Sequence, residues 1–160
     1  VGFYFFGLQC DEAISKVTTA IQLGGSVDTL SGAARIYGVC GDYARAIEVS
    51  NQALIRVPHD AGWSITRNLV AYYYLNGQEN EVQALIGDNI NAPDMHGEVL
   101  FYFAYANEKR GDLEKAQEYL DRAKQAGTSI KNFKRSFIIK SDSHEIMQFL
   151  ERLGLDQTSF

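Results

Sequence analysis

Apolar residues recur at helical spacing along most of the chain. Within residues 11–23, Ile14, Val17 and Ile21 are separated by three and four positions, which places them on one side of a helix. A pair of glycines follows and predicts the end of that helix. The same spacing predicts further helices at 26–40, 43–57, 61–75, 79–88, 95–110 and 113–125.

The turns inside this pattern repeat. Gly41, Gly77 and Gly111 each follow an apolar helix and precede an amphipathic one, at intervals of 36 and 34 residues. A period of this length is typical of stacked helical hairpins, in which each unit buries its apolar face against the next. We therefore predict an all-α solenoid with about three and a half hairpins. The predicted units are 1–25 (partial), 26–60, 61–94 and 95–128, followed by a cap and tail at 129–160.

The chain departs from the repeat in its last segment. A short helix is predicted at 144–153, where the polar residues 141–143 supply a helix N-cap. The residues expected on its buried face are Ile146, Phe149, Leu150 and Leu153. Because a solenoid must cover its last apolar face, we expect this helix to act as a cap. The basic residues ahead of it are expected to form a solvated face rather than a nucleic-acid contact: Lys131, Lys134, Arg135 and Lys140.

Composition and charge narrow the classes of function. The net charge is −5, with acidic and basic residues interspersed, which argues against a nucleic-acid-binding surface. The longest apolar runs fall well short of the roughly 20 residues that span a bilayer. Cys10 and Cys40 have no metal-binding spacing and are expected to pack as small apolar residues, although the ends of neighbouring hairpins leave a disulfide between them open. No metal or cofactor is predicted, and the expected compartment is the reducing cytoplasm.

No group of residues predicts catalysis. His59, His96 and His144 fall at predicted turns or helix starts, far apart in the sequence, and are expected to be solvated or capping residues. The carboxylates Glu79 and Glu81 open a second helix, where negative charge stabilises the positive end of the helix dipole. Their expected role is therefore structural.

Aromatic residues are concentrated on two of the predicted helices. Tyr72, Tyr73 and Tyr74 are consecutive, and residues 101–105 contain four more aromatic residues. Successive residues on a helix point about 100° apart, so one buried face cannot hold all of them. The remaining rings either line a binding surface or pack the superhelix, and the sequence leaves both alternatives open.

The repeated turns resemble those of the tetratricopeptide repeat (TPR) family. The second unit carries the family pattern through Tyr37, Gly41, Asp42, Tyr43, Ala46, Ala53 and Pro58. The fourth unit carries it through Gly111, Asp112, Ala116, Leu120 and Ala123, with Asn107 where Tyr is usual and Thr128 where Pro is usual. The third keeps Tyr73 and Gly77 but has Val82 and Asn89 instead of small residues. The resemblance covers residues 7–127 and implies a right-handed α-solenoid with a concave groove.

The resemblance also implies positions for individual side chains. It places Leu69, Tyr73 and Phe103 in the core. It implies that a protein or peptide partner binds in a groove lined by Arg35, Arg67, Asn68, Tyr74, Phe101, Tyr105 and Lys109. Some TPR proteins hold a peptide's terminal carboxylate with Lys and Asn side chains, but Glu98 and Tyr102 occupy matching positions here and disfavour that ligand. Replacing Tyr74 and Tyr105 by alanine is expected to abolish binding and to leave thermal stability nearly unchanged.

The tail carries a second resemblance. Residues 136–142, and a helix that ends in 150–155, resemble the last segment of bacterial signalling proteins in which TPR repeats follow a class III adenylate cyclase domain or a winged-helix DNA-binding domain. The apolar start at 1–7 fits the second half of a helix, so we expect the chain to be a fragment of such a protein. The predicted function is a non-catalytic protein-interaction or regulatory module. The alternatives are the regulatory region of an adenylate cyclase, with a neighbouring domain as partner, and a self-association module that dimerises through Phe3, Phe5 and Phe6.

Overall fold

All the regular secondary structure in the described part of the chain is helical. The computed structural model describes residues 9–57, 63–86, 95–127 and 148–149. Its helices are α1 (Cys10–Gln22), α2 (Val27–Val39), α3 (Tyr43–Leu54), α4 (Trp63–Leu75), α5 (Glu79–Ile86), α6 (Gly97–Lys109) and α7 (Leu113–Gln125). The prediction of an all-α chain is confirmed for these residues. The bounds of α7 agree with the sequence pattern, whereas α3 ends three residues sooner than predicted, and the predicted end of α5 near residue 89 lies outside the described residues.

The repeated glycine turns have one geometry. Gly41 and Gly111 adopt φ angles of +79° and +83°, in the left-handed region that L side chains rarely adopt, and Gly77 has the same sign. In each turn the amide after the glycine donates to a carbonyl five residues earlier, as Asp42 N does to Tyr37 O at 2.9 Å. This bond closes the C-terminal end of the first helix as a Schellman motif. The sequence repeat is therefore a repeat of helix-terminating turns.

The second helix of two hairpins begins at an aspartate. The side chain of Asp42 accepts a hydrogen bond from the backbone N–H of Arg45 at 3.2 Å, and Asp112 accepts one from Lys115 at 3.1 Å. Each bond satisfies one of the N–H groups that a helix leaves without an internal partner. In each of these turns the aspartate therefore closes one helix through its backbone N–H and starts the next helix through its side chain.

Packing between helices mostly follows the chain order, and two further contacts skip a helix. α1 packs on α2, α2 on α3, α3 on α4, α4 on α5 and α6 on α7, while α4 also packs on α6 and on α2. Three small residues of α3 are buried where the helix packs on its neighbours, namely Ala46, Ser50 and Ala53. Their counterparts on α7 are also buried: Ala116, Leu120 and Ala123. α4 contacts helices of both flanking hairpins and so occupies the middle of the described structure.

The expectation that Cys10 and Cys40 pack as unpaired residues is wrong. The structure joins them in a disulfide, with their Cα atoms 5.6 Å apart. Cys10 is the first residue of α1, and Cys40 follows the last residue of α2. The two helices have 13 residues each, and a short turn joins them. Two packed helices of equal length place the start of the first beside the end of the second.

Several predicted features lie outside the described residues. These are Phe3, Phe5, Phe6, Pro58, His59, His144, the basic residues of 131–140, and Ile146, Leu150 and Leu153 of the predicted cap. Phe149 is described and is fully buried, as predicted for the cap helix. In the described ranges, no helix combines the length and the apolar character that crossing a bilayer requires.

Candidate functional site

The residues expected to line a groove lie on three helices that neighbour one another. Arg35 is on α2, Arg67, Asn68 and Tyr74 are on α4, and Phe101, Tyr105 and Lys109 are on α6. Arg35 and Lys109 are exposed, and Arg67 and Asn68 are half-buried. The three aromatic residues are buried, with exposed fractions of 4% for Tyr74, 0% for Phe101 and 6% for Tyr105. Only the polar members of the set therefore present a surface to solvent.

The burial of α6 explains why the aromatic residues do not line an open groove. Every residue from Val99 to Glu108 is buried, so α6 is covered on all sides. The predicted groove requires a helix with one buried face and one exposed face. A helix that is apolar all round is instead buried inside the core. Tyr105 packs edge-on against Phe149, with ring centroids 5.4 Å apart. The expectation that Tyr74, Phe101 and Tyr105 are accessible is corrected accordingly.

Tyr74 is a core residue with a polar partner. Its ring centroid lies 4.0 Å from that of Phe103, and its hydroxyl accepts a hydrogen bond of 2.6 Å from Nδ2 of Asn107. Asn107 also donates to the carbonyl of Phe103 at 2.8 Å. Burial raises the pKa of the Tyr74 hydroxyl, so the group stays neutral. Tyr73, which was expected in the core, is instead half-buried and accepts a hydrogen bond from Asn51 at 3.1 Å.

Arg67 joins α4 to the start of α6. Its Nη1 lies 3.2 Å from Nε2 of His96 and 3.5 Å from Oε2 of Glu98. His96 is the N-cap of α6, and its Nδ1 accepts from the backbone N–H of Glu98 at 3.4 Å. The histidine predicted as a turn or cap residue is confirmed as a cap. Its contact with Arg67 could not be read from the sequence, because 29 residues separate them.

The hydroxyl of Tyr72 is under the electrostatic influence of two arginines. Its hydroxyl is buried and has no hydrogen-bond partner among the described residues. Burial raises the pKa of this hydroxyl, and the guanidinium groups of Arg35 and Arg67 partly offset that rise. The positive charges of Arg35 on α2 and Arg67 on α4 thus both act on this one hydroxyl. We call Arg35, Arg67 and the adjacent Asn68 the arginine surface.

A glycine makes room for the Tyr72 ring. A β-carbon placed on Gly38 of α2 would lie 3.0 Å from Cζ of Tyr72 and closer still to its Cε1. Only glycine permits this approach of α4 to α2. The sequence signal was available, since a glycine inside an apolar helix suggests a close approach of another element. Neither Gly38 nor Tyr72 was singled out as part of a site.

We expect stability to fall as His96 becomes protonated. Burial, and then the Arg67 guanidinium, hold the pKa of His96 below its ordinary value of 6.5. Between the folded pKa and pH 6.5 the unfolded chain binds more protons than the folded one. The contribution of neutral His96 to the free energy of unfolding is therefore complete above pH 6.5 and is lost as pH falls through the folded pKa. Urea denaturation at about pH 7.5 and about pH 5.5 measures this loss, across the range in which histidine titrates. His96→Asn keeps a capping acceptor without the titration, and an equal pH dependence of the two proteins would contradict the assignment.

A polar depression lies at the turn between α4 and α5. It is lined by Gly77, Gln78, Glu79, Asn80, Glu81 and Arg110. Arg110 pairs with Glu79 and donates to the carbonyl of Tyr74 at 2.7 Å. These bonds connect the end of α6 to the α4–α5 turn, so the contacts of Arg110 are structural. The predicted structural role of Glu79 at the start of its helix agrees with this arrangement.

No model of a protein family matches the chain, and no curated protein matches it either. Within the described ranges, no three His, Cys, Asp or Glu side chains converge as ligands for a metal ion. The arginine surface is therefore the candidate site among the described residues.

Proposed function

We propose that the chain is a non-catalytic protein-interaction module of the tetratricopeptide type, built as a right-handed α-solenoid. The support is the recurrence of one hairpin design along the chain. The same Schellman turn closes α2, α4 and α6, and the same aspartate cap starts α3 and α7. Repeated hairpins of this kind form extended surfaces suited to binding polypeptides.

The arginine surface carries the proposal. Arg35 and Arg67 come from different hairpins, and the positive charge of each acts on the Tyr72 hydroxyl, in a chain with a net charge of −5. A guanidinium presents a planar fork of N–H donors that matches a carboxylate. The partner we propose is a protein segment that carries aspartate or glutamate side chains. Because Arg67 is already shared between His96 and Glu98, a partner carboxylate joins or replaces Glu98 there.

The biological setting belongs to the same proposal. The tail resemblance supports a regulatory role within a larger bacterial signalling or transcription-regulating protein. A cytoplasmic location is also proposed, and this location determines when the disulfide can form. Because disulfides in the cytosol are usually transient and redox-sensing, the Cys10–Cys40 bridge would then form only under oxidation.

Charge reversal at Arg35 tests the interaction. The immobilised chain is used to retain proteins from native lysate, with wild type beside Arg35→Glu, and the retained proteins are identified by mass spectrometry. We expect wild type to retain a partner that binds Arg35→Glu at least about tenfold more weakly. The reason is that a charged hydrogen bond contributes about 1.5–3 kcal/mol. Arg35 is exposed, so the thermal midpoint should change little.

Arg45→Glu provides the matched control. Arg45 is an exposed arginine on α3, where it pairs loosely with Asp42 at 3.6 Å and lies 5.7 Å from the ring centroid of Tyr37. A partner that binds this variant like wild type and releases Arg35→Glu supports the proposal. Equal binding by all three proteins would place the interaction elsewhere. Loss of binding in both variants would indicate a general effect of net charge.

A further inference from the structure

We propose that the Cys10–Cys40 disulfide is a redox-controlled latch that holds α1 against α2. The bridge closes a loop with a sequence separation of 30 residues. It joins the first residue of α1 to the end of α2, and the turn at the other end of the hairpin joins the two helices through the chain itself. When the bridge is closed, α1 is held at both of its ends. When it is open, the Cys10 end is released.

α1 depends on the bridge because its packing is light. None of its residues is buried, whereas α2 and α3 each bury at least five. Its apolar residues Ile14, Val17 and Ile21 are only partly buried where they pack on the core. An element with few buried apolar contacts opens at low free-energy cost. The disulfide therefore supplies a large part of what keeps α1 in place.

Among the described residues, the other long-range hydrogen bonds of α1 and its turn lie away from the Cys10 end. Thr18 and Tyr37 share a hydrogen bond of 2.8 Å between their hydroxyls. Arg56 of the α3 end donates to the carbonyl of Gly25, in the α1–α2 turn, at 2.9 Å. Opening the bridge thus frees the first turns of α1 and leaves the turn end anchored. We expect α1 to fray from Cys10 towards Thr18. The side chain of Tyr37 then becomes more exposed to solvent, because it contacts α1 at Thr18.

Both sulfur-bearing residues are accessible enough to react. Cys10 and Cys40 are each half-buried rather than enclosed. A dithiol opens the bridge in two steps: its thiolate attacks one sulfur to form a mixed disulfide, and the displaced cysteine thiolate takes up a proton. The second thiol of the reagent then attacks the mixed disulfide, which releases the other cysteine as a thiol and closes a cyclic disulfide. Two electrons and two protons pass from the dithiol to the protein.

Hydrogen–deuterium exchange of the whole chain tests the latch, with dithiothreitol as the dithiol. We expect amides of α1 to exchange at least about tenfold faster after reduction, because the bridge no longer restricts the open state of the hairpin. Amides of α6 and α7 should keep their protection. Unchanged exchange in α1 would overturn the proposal, and so would an equal loss of protection in all helices, which would make the bridge a support of the whole fold.

Two further measurements separate the latch from side effects of the reagent. The variant Cys10→Ser/Cys40→Ser should exchange like the reduced wild type, and dithiothreitol should leave it unchanged. If that variant does not fold, the reduced and oxidised wild type still give the comparison. Peptide mapping without reductant, after oxidation with diamide, should recover the linked Cys10 and Cys40 peptides. Two free thiols under those conditions would overturn the proposal.

Discussion

Replacing Tyr74 by alanine is expected to destabilise the fold by about 3–5 kcal/mol, the usual cost of truncating a large buried aromatic side chain. The ring is 4% exposed and packs on Phe103 at 4.0 Å and on Tyr119 at 6.3 Å between centroids. The substitution opens a cavity there and removes the acceptor for Asn107. Urea denaturation followed by circular dichroism measures the loss.

Tyr73→Ala is the matched control, because it makes the same change one position along α4. Tyr73 is only half-buried, so we expect its replacement to cost clearly less than that of Tyr74. The TPR register implies the opposite order, with Tyr73 in the core and Tyr74 in the groove. A larger loss for Tyr73→Ala would therefore restore that register and contradict the structure. Tyr74→Phe, which keeps the ring and removes the hydroxyl, should cost about 1 kcal/mol.

The expected instability changes how binding can be tested. Alanine at Tyr74 and Tyr105 was expected to abolish binding and leave stability intact, but both side chains are buried. Loss of binding by such a variant would not distinguish a lost contact from partial unfolding. Substitution at the exposed Arg35 avoids this ambiguity. The most informative binding variants are thus on the arginine surface.

The sequence predicted the helices and their turns well because those features depend on local chemistry. Gly41 is required where the backbone enters the left-handed region, and Asp42 can satisfy a free N–H at the next helix start. Both effects act within a few residues of the chain. The glycine turns recur at an interval close to the length of one helical hairpin, so the prediction of each turn is supported by the other turns. No knowledge of distant contacts was needed for these predictions.

The candidate site was harder to predict because it depends on contacts between repeats. Whether Tyr73 or Tyr74 faces the core depends on the rotation of α4 against α2 and α6, which the apolar pattern of α4 alone does not determine. α6 carries apolar residues all round, so its pattern identifies no solvent face. The pairing of Cys10 with Cys40 likewise depends on how α1 docks on α2. Residue type and spacing suggest several possible contacts of this kind but do not determine which of them form.

Two glycines of α2 show how such a contact can be measured, since Gly38→Ala and Gly32→Ala are expected to change stability in opposite directions. A β-carbon on Gly38 would approach the buried Tyr72 ring to 3.0 Å at Cζ and more closely at Cε1. Because that ring is enclosed, we expect a loss of about 1–3 kcal/mol from overpacking. A β-carbon on the exposed Gly32 would meet nothing within 4 Å. There alanine should stabilise the helix by about 0.5–1 kcal/mol.

Equilibrium denaturation of the two single variants gives the sign of each effect, and a double-mutant cycle assigns its cause. In a Tyr72→Leu background the ring is absent, so Gly38→Ala should cost much less than in wild type, while the gain from Gly32→Ala should persist. Independence of the Gly38 and Tyr72 substitutions would mean that the two residues are not in contact. Because the charges of Arg35 and Arg67 both act on the Tyr72 hydroxyl, we expect a displaced ring also to weaken partner binding. The close approach of α4 to α2 at Gly38 thus connects the packing of the hairpins to the arginine surface.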